Sequence, residues 1–147
     1  MEVPKTLWLK RHMPGDVFSQ CQFFDLPDWL TYRATGGCTT RSACSLACKC
    51  SYVPELPSSV SSSQHSGWQD DFFNRIGLGE FVDNAYTQFG PLKERHANRT
   101  YSVDVLTAGL PVGSGLSEQS ANELGLLPGT PVGSAVIDAY DPLWCSL

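Results

Sequence analysis

Residues 123–138, Glu-Leu-Gly-Leu-Leu-Pro-Gly-Thr-Pro-Val-Gly-Ser-Ala-Val-Ile-Asp, constrain the fold more than any other stretch of the chain. A helix ends at Gly125, Pro128-Gly129 turns the backbone, and Val132 to Ile137 reads as a short apolar strand carrying Asp138 at its end. Open α/β sheets bind ligands beyond the carboxyl ends of their strands, so this order of elements predicts an α/β fold with a carboxylate at the mouth of a cleft. On the residues alone, a strand-end aspartate capping a turn is the plainer reading of Asp138. Nine residues follow it. That leaves little room for the rest of a catalytic site, and the expectation is a piece of a larger enzyme.

Composition excludes several classes of function. At 147 residues the chain is long enough for one core and one domain. Hydrophobic residues make up 41% and charged residues 17%, which fits a soluble globular chain. A net charge of −5 argues against nucleic acid, which needs a basic patch. No apolar run approaches the ~20 residues of a membrane span. The opening MEVPKTLWLKRH lacks the apolar core of a signal peptide, which points to a cytoplasmic protein. The six cysteines then read as buried or half-buried free thiols in a reducing compartment. Cys44, Cys48 and Cys50 contain no C-x2-C pair and have no histidine pair nearby, so a structural zinc site is the less favoured alternative. Asn98-Arg99-Thr100 is a glycosylation sequon that stays unused without a secretory route.

Further elements follow from punctuation and period. Pro4 to Lys10 reads as a short helix with Leu7 and Trp8 available for packing. Asp25-Leu26-Pro27-Asp28 reads as a helix start, with proline in the first turn and acids favoured by the macrodipole. Gly36-Gly37 ends that helix. Ala43, Leu46, Ala47 and Cys50 recur at i, i+3, i+4 and i+7, the spacing of one buried helix face. Arg41, Ser45 and Lys49 line the opposite side, read first as a solvated face. The alternative is a face turned to a polar cleft, with Lys49 as an anion or hydroxyl ligand. Residues 57–66 are serine-rich and read as a flexible loop, with His65 a solvated member of it. Trp68 to Arg75 predicts a helix with Trp68, Phe72 and Ile76 on one side, stopping at Gly77, and Leu78 to Tyr86 a further helical turn. Tyr101, Val103 and Val105 alternate as a strand would, and Lys93 to His96 read as an exposed turn. Ser117 caps a helix through Leu124.

Several of these segments, taken in order, resemble the FGGY-type carbohydrate kinases. FFDLPDWLTYRATG (residues 23–36) is similar to that family's "D-[WY]-[LI]-x-[YW]-x-x-T-G" helix. Residues 39–49 continue it in the manner of the "T-R-S-x-C-S-x-x-C-K-W" run of the ribulokinase-like branch. Trp68 to Leu78 resembles "W-D-x-x-F-x-x-I-G-L", and GLSEQSANELGLLPGTPVGSAVIDA resembles "G-L-T-x-x-A-A-x-x-L-G-L-x-P-G-x-x-V-x-x-x-x-I-D-A-H". PKTLWLK near the start looks like "P-K-L-L-W-L-K". The resemblance covers most of the chain apart from roughly residues 53–66, 91–108 and 140–147.

The resemblance implies a partial actin-like ATPase (ribonuclease H-like) domain. Residues 1–139 would form the helix-rich second half of the kinase N-terminal domain, and residues 140–147 a divergent tail. The family's "D-x-G-T-x-S" phosphate hairpin is expected upstream of Met1, and its second domain beyond Asp138. The family's "D-A-H-A-G-G" becomes Asp138-Ala139-Tyr140-Asp141-Pro142-Leu143. By this likeness Asp138 is the general base and Lys49 contacts a ketose. ATP and Mg belong to the complete enzyme and are not expected to bind tightly here. Two functions are implied: a segment of a kinase acting on a ketopentose such as D-ribulose, or a non-catalytic truncated form that is inactive or binds the full-length kinase. Trp8, Trp29, Phe72 and Leu124 are candidates for exposed apolar surface that favours self-association.

Overall fold

The computed structural model of the chain describes residues 2–54, 67–90 and 105–136. Expectations for the serine-rich loop, the 93–96 turn, Asp138 and the 140–147 tail lie outside these residues. Within them the chain is helix-rich with one small parallel sheet. Helices α1 (Val3–His12), α2 (Gly15–Gln20) and α3 (Leu26–Ala34) lead into strand β1 (Arg41–Ser42) and helix α4 (Ala43–Cys50). Helices α5 (Asp70–Ile76) and α6 (Gly79–Asp83), a 3-10 turn (Thr87–Phe89), strand β2 (Val105–Leu106) and helix α7 (Glu118–Leu124) follow. Strand β1 pairs with β2 in parallel, Arg41 opposite Val105 and Ser42 opposite Leu106.

Aromatic rings organise the core. Trp68, Phe73, Phe81, Tyr86 and Phe89 are buried together with Val3, Phe18, Leu46 and Leu78. The Trp68 ring stacks on Tyr86 at 4.6 Å and 9°, while Phe73 meets Trp68 edge-on at 5.6 Å. Offset and edge-to-face pairs of this kind add to the area they bury. Polar groups close the periphery: Tyr86 Oη donates to Asp70 Oδ1 at 2.7 Å, and Gln88 Nε2 donates to the Phe18 and Cys21 carbonyls at 2.7 and 3.1 Å.

Most element boundaries follow the sequence reading, with four corrections. Helix α2 has too few turns to show a period, yet it buries Phe18. In α5 the buried residue is Phe73, wholly covered, while Phe72 is 39% exposed; Trp68 precedes the helix and is drawn in by stacking on Tyr86. Arg41 and Ser45, expected on a solvated face, are buried at 1% and 0% exposure. The expected strand over Val132–Ile137 is, among its described residues, an extended segment with a single bridge between Gly133 and Pro111. Only the Val105 end of the predicted 101–105 strand lies in the described residues, and there it pairs as β2.

The exposed apolar residues foreseen at Trp8, Trp29, Phe72 and Leu124 are exposed. Trp8 instead stacks on His12 of its own helix at 4.1 Å. Helix α3 is inverted: its buried side chains are Asp28 and Thr31, while Leu26, Trp29 and Leu30 face outward.

Truncating the centre of the aromatic cluster tests where stability resides. Phe73→Ala is expected to cost about 3–5 kcal/mol, the usual range for a fully buried phenylalanine, measured as a fall in the urea midpoint at constant slope.

Candidate functional site

The polar side of α4 carries Lys49, the one sequence-predicted site residue among the described residues. Ser42 caps this helix: its Oγ accepts the Cys44 N–H at 3.1 Å. Lys49 lies in the last turn, where a cation is favoured by the helix dipole. Its side chain is half-buried, and among the described residues its ammonium has no hydrogen-bond or ion-pair partner. The Lys49 carbonyl accepts the Glu2 N–H at 2.8 Å, which ties α4 to the start of α1. Of the three residues expected on this face, Arg41 and Ser45 belong to the interior and Lys49 is half-buried.

Beneath α4 lies a buried polar cluster. Asp28, 1% exposed, accepts the Ser42 N–H on Oδ1 at 3.0 Å. The Ser42 hydroxyl then donates to the Ala135 carbonyl at 2.5 Å. Arg41 donates to the Thr39 and Phe23 carbonyls, and its guanidinium sits 3.5 Å from the Phe24 ring centroid. Gly90 permits this close packing. A Cβ there would come 2.8 Å from Arg41 Cγ, on a backbone whose φ of +103° already disfavours any side chain.

Electrostatics follows from burial. Loss of water pushes the Asp28 carboxyl up to about 6, against the lowering effects of the Ser42 N–H and the Arg41 charge. Arg41 is lowered to about 10 by the same desolvation, offset in part by Asp28. Burial likewise raises the Cys50 thiol to about 12, an inert neutral group at neutral pH. Cys21, Cys38, Cys44, Cys48 and Cys50 are free.

Asp28 and Ser42 are the residues that sequence reasoning passed over. Asp28 was legible as a first-turn acid and nothing more. A signal existed: Asp28, Thr31 and Thr35 recur at i, i+3 and i+7, a polar stripe among outward apolar residues. Thr31 Oγ1 donates to the Asp28 carbonyl at 2.9 Å and Thr35 Oγ1 to the Thr31 carbonyl at 2.8 Å, so the stripe is internally bonded. Asp138, the other predicted site residue, lies outside the described residues; Ala135, bound by Ser42, is three positions before it in sequence. Among the described residues no group of three or more His, Cys, Asp or Glu side chains could hold a metal.

A groove of about 520 Å³ lies elsewhere, between α3 and α7, lined by Trp29, Leu30, Arg33, Ser117, Glu123 and Leu124 among others. Lys49 and Asp28 are not part of it. The two helices are pinned there by the Ser117 N–H on the Ala34 carbonyl (2.9 Å) and Ser120 Oγ on the Arg33 carbonyl (3.1 Å).

Ionisation of Asp28 opposes folding, because its folded pKa of about 6 lies above the unfolded value near 3.8. The folded chain holds the proton more tightly, so this group favours the fold most below about pH 4. Its contribution falls as pH rises toward about 6 and is flat above, by on the order of 3 kcal/mol in all. Asp28→Asn is expected to remove this slope relative to the native chain in urea unfolding between pH 4 and 7; parallel curves would overturn the assignment.

No protein-family model matches the chain. Over 141 residues, 95% of the chain, it is 39% identical to an FGGY carbohydrate kinase domain-containing protein of Homo sapiens, of which it spans 21%. It is 41% identical over the same share to a D-ribulokinase of Saccharomyces cerevisiae, spanning 18% of that protein. An FGGY carbohydrate kinase domain-containing protein of Danio rerio is 36% identical, with 22% of its length spanned. The chain thus covers about a fifth of the length of the curated relatives it matches.

Proposed function

The chain belongs to the FGGY carbohydrate kinase family, and on that premise we propose that it supplies the sugar-side residues of an ATP-dependent ketopentose kinase with D-ribulose as substrate. The observation that carries this reading is the 41% identity to a D-ribulokinase along 95% of the chain. In the complete enzyme, cytosolic by the same reading, Asp138 accepts the proton of the attacking sugar hydroxyl. The oxygen bonds to the γ-phosphorus of ATP as the bond to the ADP oxygen breaks, and the proton remains on the carboxylate. A positioned base of this kind contributes typically 10²–10⁴-fold, with positioning and charge stabilisation supplying the rest. Lys49 donates hydrogen bonds to sugar hydroxyls. Its half-buried ammonium, without a partner among the described residues, supports that role, since it has three donors to offer. The actin-like partial domain over residues 1–139 is part of the same proposal, and the helix-rich architecture with a small parallel sheet is compatible with it.

Exposed apolar side chains favour a second reading for the chain on its own. Leu26, Trp29 and Leu30 on α3 and Leu124, Leu126 and Leu127 at the end of α7 form apolar surface in need of cover. A non-catalytic form that associates with itself or with the full-length kinase accounts for them. Light scattering on the purified chain is then expected to show assemblies that Leu30→Glu returns to monomer.

Grafting tests the kinase reading. Residues 23–138 of this chain replace the matching segment of the yeast D-ribulokinase, and ADP release is followed with D-ribulose. The graft is expected to turn over. Asp138→Asn should lower kcat by at least about 10²-fold, and Lys49→Ala should mainly raise KM. An Asp138→Asn graft with undiminished turnover would remove the base assignment.

A further inference from the structure

We propose that Asp28 and Ser42 are positioning residues for the segment that leads into Asp138. The proposal rests on the kinase reading for its purpose and on the geometry around Ser42 for its substance. The extended segment 132–136 lies against residues 109–112, where the Val112 N–H donates to the Val132 carbonyl at 2.8 Å, the Ser134 N–H to the Leu110 carbonyl at 2.7 Å and the Gly109 N–H to the Ser134 carbonyl at 3.2 Å. Two side-chain hydroxyls add ties from this segment to β1 and to the residue after β2. Ser134 Oγ donates to the Thr107 carbonyl at 2.6 Å, just past β2. Ser42, in β1, donates to the Ala135 carbonyl at 2.5 Å. Both serines are buried, at 4% and 0% exposure, so these bonds are shielded from competition by water.

Ser42 holds this position because three groups fix it. Its N–H is bound by Asp28 Oδ1, its Oγ accepts the Cys44 N–H, and its backbone is in register with Leu106. Of the three, only the bond to Asp28 comes from a side chain on another helix, so Asp28 sets Ser42 relative to α3. The second carboxylate oxygen, Oδ2, is buried without a partner among the described residues. A group serving stability alone has no need of that cost, since an apolar residue would avoid it. A group that must fix one backbone N–H in a dry interior does need an acceptor oxygen at that place. The positively charged neighbour is Arg41; Asp25 adds negative charge from the start of α3, and Ser45 approaches from α4. The path is then short: Asp28 to the Ser42 amide, the Ser42 hydroxyl to the Ala135 carbonyl, and three residues on in sequence, Asp138.

Amide hydrogen exchange on the full 147-residue chain, read by mass spectrometry on peptides covering 130–138, tests the anchoring without any turnover. Ser42→Ala and Asp28→Ala are expected to speed exchange there about tenfold, the scale of one buried hydrogen bond, with α5 and α6 unchanged. Asp28→Asn keeps an acceptor oxygen and should preserve native protection. Should either alanine variant fail to fold, Ser42→Cys, a near-isosteric weak donor, carries the same readout with a smaller rise. Unchanged exchange over 130–138 in the folded variants, or an equal rise throughout the chain, would overturn the proposal. The grafted kinase can lose its activity while this protection pattern holds, and the reverse, so the two readings fail separately.

Discussion

One hydrogen bond, donated by a backbone amide to a buried carboxylate, joins parts of this chain that otherwise share little. Through Asp28 and Ser42, helix α3 is referred to strand β1, and through the Ser42 hydroxyl, β1 is referred to residue 135. Arg41 lies on the same short strand and is consumed by local carbonyls and the Phe24 ring. It therefore moderates the carboxylate's charge without taking its oxygens. Were Arg41 a direct ion-pair partner, the Ser42 amide would compete with a guanidinium for the acceptor. The separation of these tasks lets a two-residue strand serve as a reference point for the site.

The aromatic half of the molecule has a different physics. Trp68, Phe73, Phe81, Tyr86 and Phe89 bury large areas with almost no polar requirement, and their ring contacts are short-range and numerous. Such a cluster contributes stability in bulk and tolerates electrostatic change. A buried carboxylate such as Asp28 gains little net stability, because lost hydration offsets its hydrogen bonds and charge attraction. Helix α4 links the two, because it presents Leu46 and Cys50 to the aromatic side and Ser45 to the polar side.

What the sequence revealed follows from how local each signal is. Gly36-Gly37, Gly77, Ser117 and Gly125 act within a turn of where they stand, and the helices start or stop there. Leu46 and Cys50 were legible because an apolar period has one meaning in a soluble chain. A polar period has two. Arg41 and Ser45 look the same in one dimension whether water or a folded-back carbonyl receives them, and Arg41's receivers include Phe24, far from it along the chain. Asp28 failed for the same reason, as its partner Ser42 is fourteen positions away. Phe72 and Phe73 are adjacent, and which of them turns inward depends on where the helix starts. The helix starts at Asp70, and Trp68, outside it, stacks on Tyr86. Lys49 keeps the position its pattern allowed, and the family likeness supplied the sugar role proposed for it.

The parallel pair of strands has a consequence for the order of folding. Arg41 and Val105 are sixty-four positions apart, and Ser42 and Ala135 ninety-three. Closing such loops costs chain entropy before any contact repays it, whereas α5 and α6 meet across a few residues. The aromatic knot is therefore the part that collapses early, and the strand pair and its serine clasp are the last to close. A ribosome emitting this chain would release a half-built domain with its hydrophobic centre formed and its chemistry still unassembled until residue 135 has emerged.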